Sequence, residues 1–162
     1  MKPPMPPSAT SPAVAPYAGL DPGRSKCGLV RSDQDGLEIL SAGVLEPEIC
    51  WRQLEQWCQQ GLIAAVVLGN GTGSSHWQQQ LARLRLPVVL VDEAGTTLAA
   101  RQRYWQLEPP RGWQRLLPKG MRLPPRDVDD VVAQLLLERH LRRPLQRSRT
   151  HWLARIRTSP GP

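Results

Sequence analysis

Along this chain the spacing of apolar residues alternates between short strand-like runs and helical periods. Residues 17–20, Cys27–Arg31 and Leu37–Leu45 are apolar runs separated by the turn signals Asp21-Pro22-Gly23 and Asp33–Gly36, which predicts three strands in an antiparallel meander. From Pro47 the period lengthens. Trp51, Leu54, Trp57 and Cys58 recur at helical spacing, with Pro47 in the first turn and Gly61 as the stop. Leu62–Leu68 is apolar and bounded by glycines, the pattern of a buried parallel strand. Ser75-His76-Trp77-Gln78 has the form of a capping box, opening a helix with Trp77, Leu81 and Leu84 on one face. Pro87–Val91 predicts another buried strand, and Thr96 caps a helix through Trp105. A Pro/Gly-rich loop then fills 108–126, before a last helix over Asp127–Leu141. The order predicts a mixed α/β domain: antiparallel strands first, then parallel strands alternating with helices.

The flanks read differently. Residues 1–16 are Pro-rich and without the apolar stretch of a signal peptide, which predicts a disordered leader. No apolar run reaches the ~20 residues of a membrane span, so a cytoplasmic chain with no membrane partner is expected. Residues 1–138 hold 14 Lys/Arg and 14 Asp/Glu, whereas 139–162 hold seven Arg and no acid, so the net charge of +7 sits at the C-terminus. The expected organisation is a disordered segment 1–16, a domain over 17–142 and a basic tail over 143–162. Such a tail either binds phosphates with salt-sensitive affinity or serves solubility.

Three acidic positions could carry chemistry. Asp21 ends the first strand, where it either opens the Pro-Gly turn or presents a carboxylate at the sheet's edge. Asp92 and Glu93 follow Pro87–Val91, where α/β sheets bind ligands; alternation sends the two to opposite sides, so one of them serves a given site. Helix-end electrostatics is the plainer account of both. Asp129 shares the edge of the last helix's stripe with Val132 and Leu136, a costly place for a carboxylate unless a cation meets it. Asp127 reads as an N-cap and Asp130 as a partner of the helix dipole. Three clustered carboxylates suit Mg²⁺ or Mn²⁺, which relieve their repulsion and promote phosphodiester hydrolysis.

Other features carry less. Cys27, Cys50 and Cys58 lack metal-site spacing and read as small buried hydrophobes. The loop Gly69-Asn-Gly-Thr-Gly-Ser-Ser75 is either a phosphate cradle without a Walker lysine or a flexible turn. Trp105 and Trp113 flank the Pro/Gly/Arg-rich loop, as base-stacking platforms or as its anchors. His76, His140 and His151 have no partner at ligand spacing and read as structural.

In Gly19–Val30 (GLDPGRSKCGLV), Val88–Arg101 (VVLVDEAGTTLAAR) and Val128–His140 (VDDVVAQLLLERH), the chain resembles the YqgF/RuvC-like family of pre-16S rRNA nucleases and Holliday-junction resolvases. With the strand Leu62–Gly69 the resemblance covers roughly 17–142. It implies a ribonuclease H-like fold: a mixed sheet of three antiparallel and two parallel strands flanked by helices. The family's first acid falls on Asp21, its Asp-Glu pair on Asp92 and Glu93, and its last on Asp129. The resemblance implies Asp21, Glu93 and Asp129 as catalytic and metal-binding residues with Mg²⁺ or Mn²⁺. It also implies RNA or branched DNA as substrate, and Arg24, Lys26, Arg139, Arg142 and Arg143 are the basic residues expected to bind it. Resolving a two-fold junction would favour a homodimer. Ala94 stands where the family carries Arg, and Asn70 where RuvC-type resolvases carry an acid, so the alternative is an inactive nucleic-acid-binding module on the same fold. An actin-like ATPase shares the Asp-x-Gly turn but needs two such domains around a cleft.

Overall fold

The computed structural model describes residues 15–153. Strands β1 (Tyr17–Asp21), β2 (Cys27–Ser32) and β3 (Ile39–Leu45) form an antiparallel meander. There follow helix α1 (Pro47–Gln59), strand β4 (Ala65–Gly69), helix α2 (Ser74–Ala82), strand β5 (Val88–Val91) and helix α3 (Thr96–Leu107). Two short 3-10 turns, Gly112–Leu116 and Lys119–Met121, lead to helix α4 (Asp129–Leu141) and a short strand β6 (His151–Trp152). The sheet order is β5-β4-β1-β2-β3-β6, with β4 parallel to β1 and β5 parallel to β4. The three antiparallel and two parallel strands make the mixed sheet expected from the sequence, with β6 added at one edge. Among the described residues no helix is long and apolar enough to cross a membrane.

Strand alternation sorts the core into two layers. Ala18, Leu20, Cys27, Leu29, Val66 and Leu68 face α1 and α2, where Cys50, Leu54, Trp57, Trp77 and Leu81 meet them. Val30, Ile39, Ala42 and Val67 face α3 and α4, against Ala100, Tyr104, Val131, Leu136 and Leu137. Cys27 and Cys50 are buried free thiols, and Cys58 is half-buried.

The second layer is unusually close at one end. A Cβ on Gly19 would stand 2.7 Å from the carbonyl oxygen of Ala133, and one on Gly28 would overlap the carbonyl of Asp129. Both glycines lie under α4, so its first turns rest directly on the backbone of β1 and β2. That contact decides where the start of α4 points.

Several boundaries move, each for a local reason. Asp33 Oδ1 accepts from the N–H groups of Leu37 (2.8 Å) and Glu38 (3.0 Å), which holds both in the turn, so β3 begins at Ile39. The Leu62 N–H donates to Trp57 O, closing α1, and β4 begins only at Ala65. Ser75 is not a cap, because α2 begins at Ser74 after Gly73 in the left-handed region. Thr96 likewise is the first residue of α3, after Gly95 at φ 72°. Asp127 is not the cap of α4 either. It pairs with Lys26 at 2.8 Å, and Val128 occupies the cap position without a side-chain bond.

Two readings at the ends of the chain also change. Asp130 is wholly buried, where the sequence suggested an exposed dipole partner. It meets Arg126 at 2.7 Å and Arg147 at 2.8 Å, and Arg147 Nε donates to Gln134 Oε1 at 2.6 Å. The guanidinium groups of Arg126 and Arg147 also lie over the Trp152 ring, 4.9 and 5.5 Å from its centroid. Residues 143–153 therefore belong to the folded domain rather than to a basic tail, since a buried carboxylate needs the cation they bring. Residues 154–162 lie outside the described residues, as do 1–14; Pro16 is held through its carbonyl, which accepts from the Ala64 N–H.

Candidate active site

The parallel strands β1, β4 and β5 end on one side of the sheet, and the start of α4 crosses above them. Asp21 is the last residue of β1, paired across the hairpin with Gly28. By alternation it shares the face of Gly19, beneath α4. Glu93 follows β5 on the side of Val89 and Val91, while Asp92 is exposed and bonded by Oδ1 to the Ala94 N–H at 3.0 Å. Asp129 opens α4 above Gly28. Asp21, Glu93 and Asp129 line one open cleft of ≈ 460 Å³, together with Lys26, Thr97, Arg101, Arg126 and Leu123.

The glycine loop after β4 seats Glu93. A Cβ on Gly69 would stand 2.6 Å from Glu93 Oε2, and one on Gly71 would collide with Oε1. Between them Asn70 Oδ1 accepts from the Glu93 N–H at 3.2 Å, and the Asn70 N–H donates to Val91 O at 3.0 Å. The Thr96 hydroxyl donates to Glu93 O at 2.6 Å. Arg139 donates to the carbonyls of Asp92 (2.6 Å) and Ala94 (3.1 Å), clamping the turn from α4. The loop read as a phosphate cradle or a flexible turn is thus a socket for a carboxylate. Asn70 supports the turn that carries that carboxylate.

The electrostatics of the cleft centre on Asp21. Burial first, and then the nearby charges of Asp129 and Glu93, together push its carboxyl up to about 7 from an ordinary 3.8. Lys26 lies 2.8 Å from Asp127 and 3.6 Å from Asp129, and the hydrogen bond to Asp127 raises its pKa. Among the described residues no three His, Cys, Asp or Glu side chains close on a single point that a metal ion would fill. The three carboxylates share the cleft without forming a shut cage, as mutual repulsion and the Lys26 contact dictate. Their hard oxygen donors and the raised Asp21 pKa suit a divalent cation, which would supply the missing positive charge.

The five basic residues picked out in the sequence are spread widely. Lys26 lines the cleft. Arg24 lines a separate groove of ≈ 560 Å³ with Trp51, Arg52, His76 and Trp77, over α1 and α2. Arg139 is engaged with the Glu93 turn. Arg142 and Arg143 follow the far end of α4, roughly 20 Å along the helix from Asp129 at ~1.5 Å per residue. Arg101 and Arg126, which sequence reasoning did not select, are in the cleft wall. For Arg101 a signal existed: it lies four residues from Thr97, on the same helical face. For Arg126 there was none, since its position depends on the buried Asp130.

No family model matches the chain. A relative from Prochlorococcus marinus (strain MIT 9313), named "Putative pre-16S rRNA nuclease", is 30% identical over 150 residues, spanning 83% of this chain and 84% of the relative. Two solved structures are similar. Thermus thermophilus RuvC in complex with a Holliday junction substrate matches 80% of this chain and 95% of its own, at 14% identity and TM-score 0.41. A second Thermus thermophilus RuvC structure matches 77% and 96%, at 14% identity and TM-score 0.36.

Proposed function

The chain belongs to the YqgF family of pre-16S rRNA nucleases, and on that premise we propose that it is a divalent-metal-dependent endonuclease acting on structured nucleic acid. One observation carries the reading: Asp21, Glu93 and Asp129, distant in sequence, line one cleft, where burial and the two neighbouring charges hold the Asp21 pKa at about 7. A structural carboxylate is ordinarily paired; here burial and two like charges act on Asp21 together, an arrangement typical of functional sites.

Asp21, Glu93 and Asp129 would hold Mg²⁺ or Mn²⁺. When bound, such an ion supplies an activated water and neutralises charge at the leaving oxygen. The chain's own residues do the rest. The socket at Gly69–Gly71 fixes the Glu93 carboxylate, and the Gly28 contact fixes Asp129. Lys26 and Arg101 stand around the cleft where a phosphodiester would enter, and their cations would orient it. The substrates that fit this reading are precursor 16S rRNA or branched DNA. Arg142 and Arg143 would meet flanking phosphates, and a homodimer would suit a two-fold junction.

The test is a cleavage assay on a precursor 16S rRNA fragment and a four-way DNA junction, with Mg²⁺ and with Mn²⁺. Wild-type protein should cut at least one of them, and Asp21→Asn and Asp129→Asn should cut neither while keeping the wild-type circular dichroism spectrum. Cleavage by both variants at the wild-type rate would remove the proposal.

A further inference from the structure

Between α3 and α4 the chain forms an arm whose apolar side chains face out. Trp113, Leu116 and Met121 are 70%, 86% and 67% exposed, and large apolar side chains left in water along one short segment point to a binding surface. The arm is nonetheless well held. Trp105 Nε1 donates to Arg122 O at 3.3 Å, and Arg122 donates through Nε to Leu117 O (3.0 Å) and through Nη2 to Arg115 O (3.1 Å). Arg115 Nε donates to Pro110 O at 3.1 Å. These side chains bind the arm's own backbone together while apolar groups form part of its exterior. Of the two tryptophans beside it, Trp105 is the anchor, leaving Trp113 as the free indole.

Charge and position say what would cover it. Residues 109–126 contain five cations (Arg111, Arg115, Lys119, Arg122 and Arg126) and no acid. At the arm's base Leu123, Pro124 and Arg126 form one wall of the carboxylate cleft. On the nuclease reading above, we infer that the arm binds an unpaired stretch of the substrate strand: Trp113 stacks on a base, and Arg111, Arg115 and Lys119 meet the phosphates beside it. Stacking on an indole needs a base with a free face, which a strand out of its duplex offers whatever its sequence. A second copy seated arm to arm would bring these cations against cations. The arm thereby directs an unpaired strand towards the cleft.

The test measures binding apart from cleavage. A short labelled oligonucleotide, as RNA and as DNA, single-stranded and annealed to its complement, is titrated with the intact protein in EDTA. The single strand should bind more tightly than the duplex. Trp113→Ala should weaken single-strand binding about tenfold or more, and Trp113→Phe should restore most of it. Unchanged affinity in Trp113→Ala overturns the inference, as does an equal loss on duplex or an absence of single-strand binding. So does a dimer in sedimentation that Trp113→Ala dissolves without changing strand affinity, which would assign the patch to a second copy. Protein that binds through Trp113 but cuts nothing ends the nuclease reading and leaves the arm's role standing. Protein that cuts, with Kd and KM indifferent to Trp113→Ala, does the reverse.

Discussion

The carboxylate of Glu93 occupies the space that a side chain on Gly71 would need: a Cβ there would collide with Oε1. One residue's missing side chain therefore locates another's reactive group, across a gap of 22 positions in the chain. Gly71→Ala should push Glu93 out of the cleft and lower kcat about 100-fold, the scale on which ångström misplacements act. The loop is on the surface, so the melting temperature should shift little. A variant with full activity would show that Glu93 is not held by this socket.

Gly28 tests the other side of the cleft. A methyl group there meets the backbone of Asp129 rather than a flexible side chain, so α4 must move. Gly28→Ala should cost about 1–3 kcal/mol, read as a lowered denaturant midpoint, and activity should fall with it. The contrast between the two glycines separates a site lesion from a packing lesion.

The pH dependence of stability follows from Asp21. Its carboxyl titrates near 7 in the folded protein and near 3.8 when unfolded, so between those values the folded state holds the extra proton. Stability from this group is therefore full below about pH 4 and is lost as pH rises to 7, a difference on the order of a few kcal/mol. Asp21→Asn should melt at a higher temperature than wild type at pH 8 without metal, and the gap should close near pH 4. A variant less stable than wild type at pH 8 would contradict the assignment.

A divalent cation should reverse that penalty. Mg²⁺ or Mn²⁺ at about 100 times its pH 8 Kd should stabilise wild-type protein by about 2.7 kcal/mol in thermal melts at pH 8, and the same concentration should stabilise it less at pH 5. Asp21→Asn should lose most of the shift, and chelation should abolish cleavage without unfolding the chain. Equal shifts in wild type and variant would place the ion elsewhere.

The ion pair of Asp130 with Arg147 predicts where the chain tolerates truncation. The carboxylate is fully buried and the Arg147 side chain is 8% exposed, so removing this cation leaves Asp130 on Arg126 alone, with one of its oxygens short of a close partner. Arg147→Met should cost about 1–3 kcal/mol, because Arg126 still pairs with the carboxylate. A chain ending at residue 142 should melt far below one ending at 153, and a matching melt would mean that β6 and its arginine are dispensable.

Local pattern made much of this protein legible. Apolar period identified all the strands except β6 and all four main helices. The three segments with family resemblance marked Asp21, Glu93 and Asp129, and alternation separated Glu93 from Asp92. Element starts were less legible, because helix α2 begins on a left-handed glycine and α4 on an uncapped valine instead of on the Ser and Asp that usually cap. Long-range pairing was not legible at all. Nothing near position 147 announces that its arginine answers a buried carboxylate 17 residues earlier.

By itself the sequence determined which residues lie on strands and helices, which way most of them face, and which acids end at a strand or open a helix, because each of these depends on near neighbours. Tertiary structure alone decided that three of those acids share a cleft, that two glycines make the seat for one of them, and that residues 143–153 are part of the domain. Those outcomes depend on how closely α4 can lie on the sheet, a contact set by backbone atoms more than 90 residues apart.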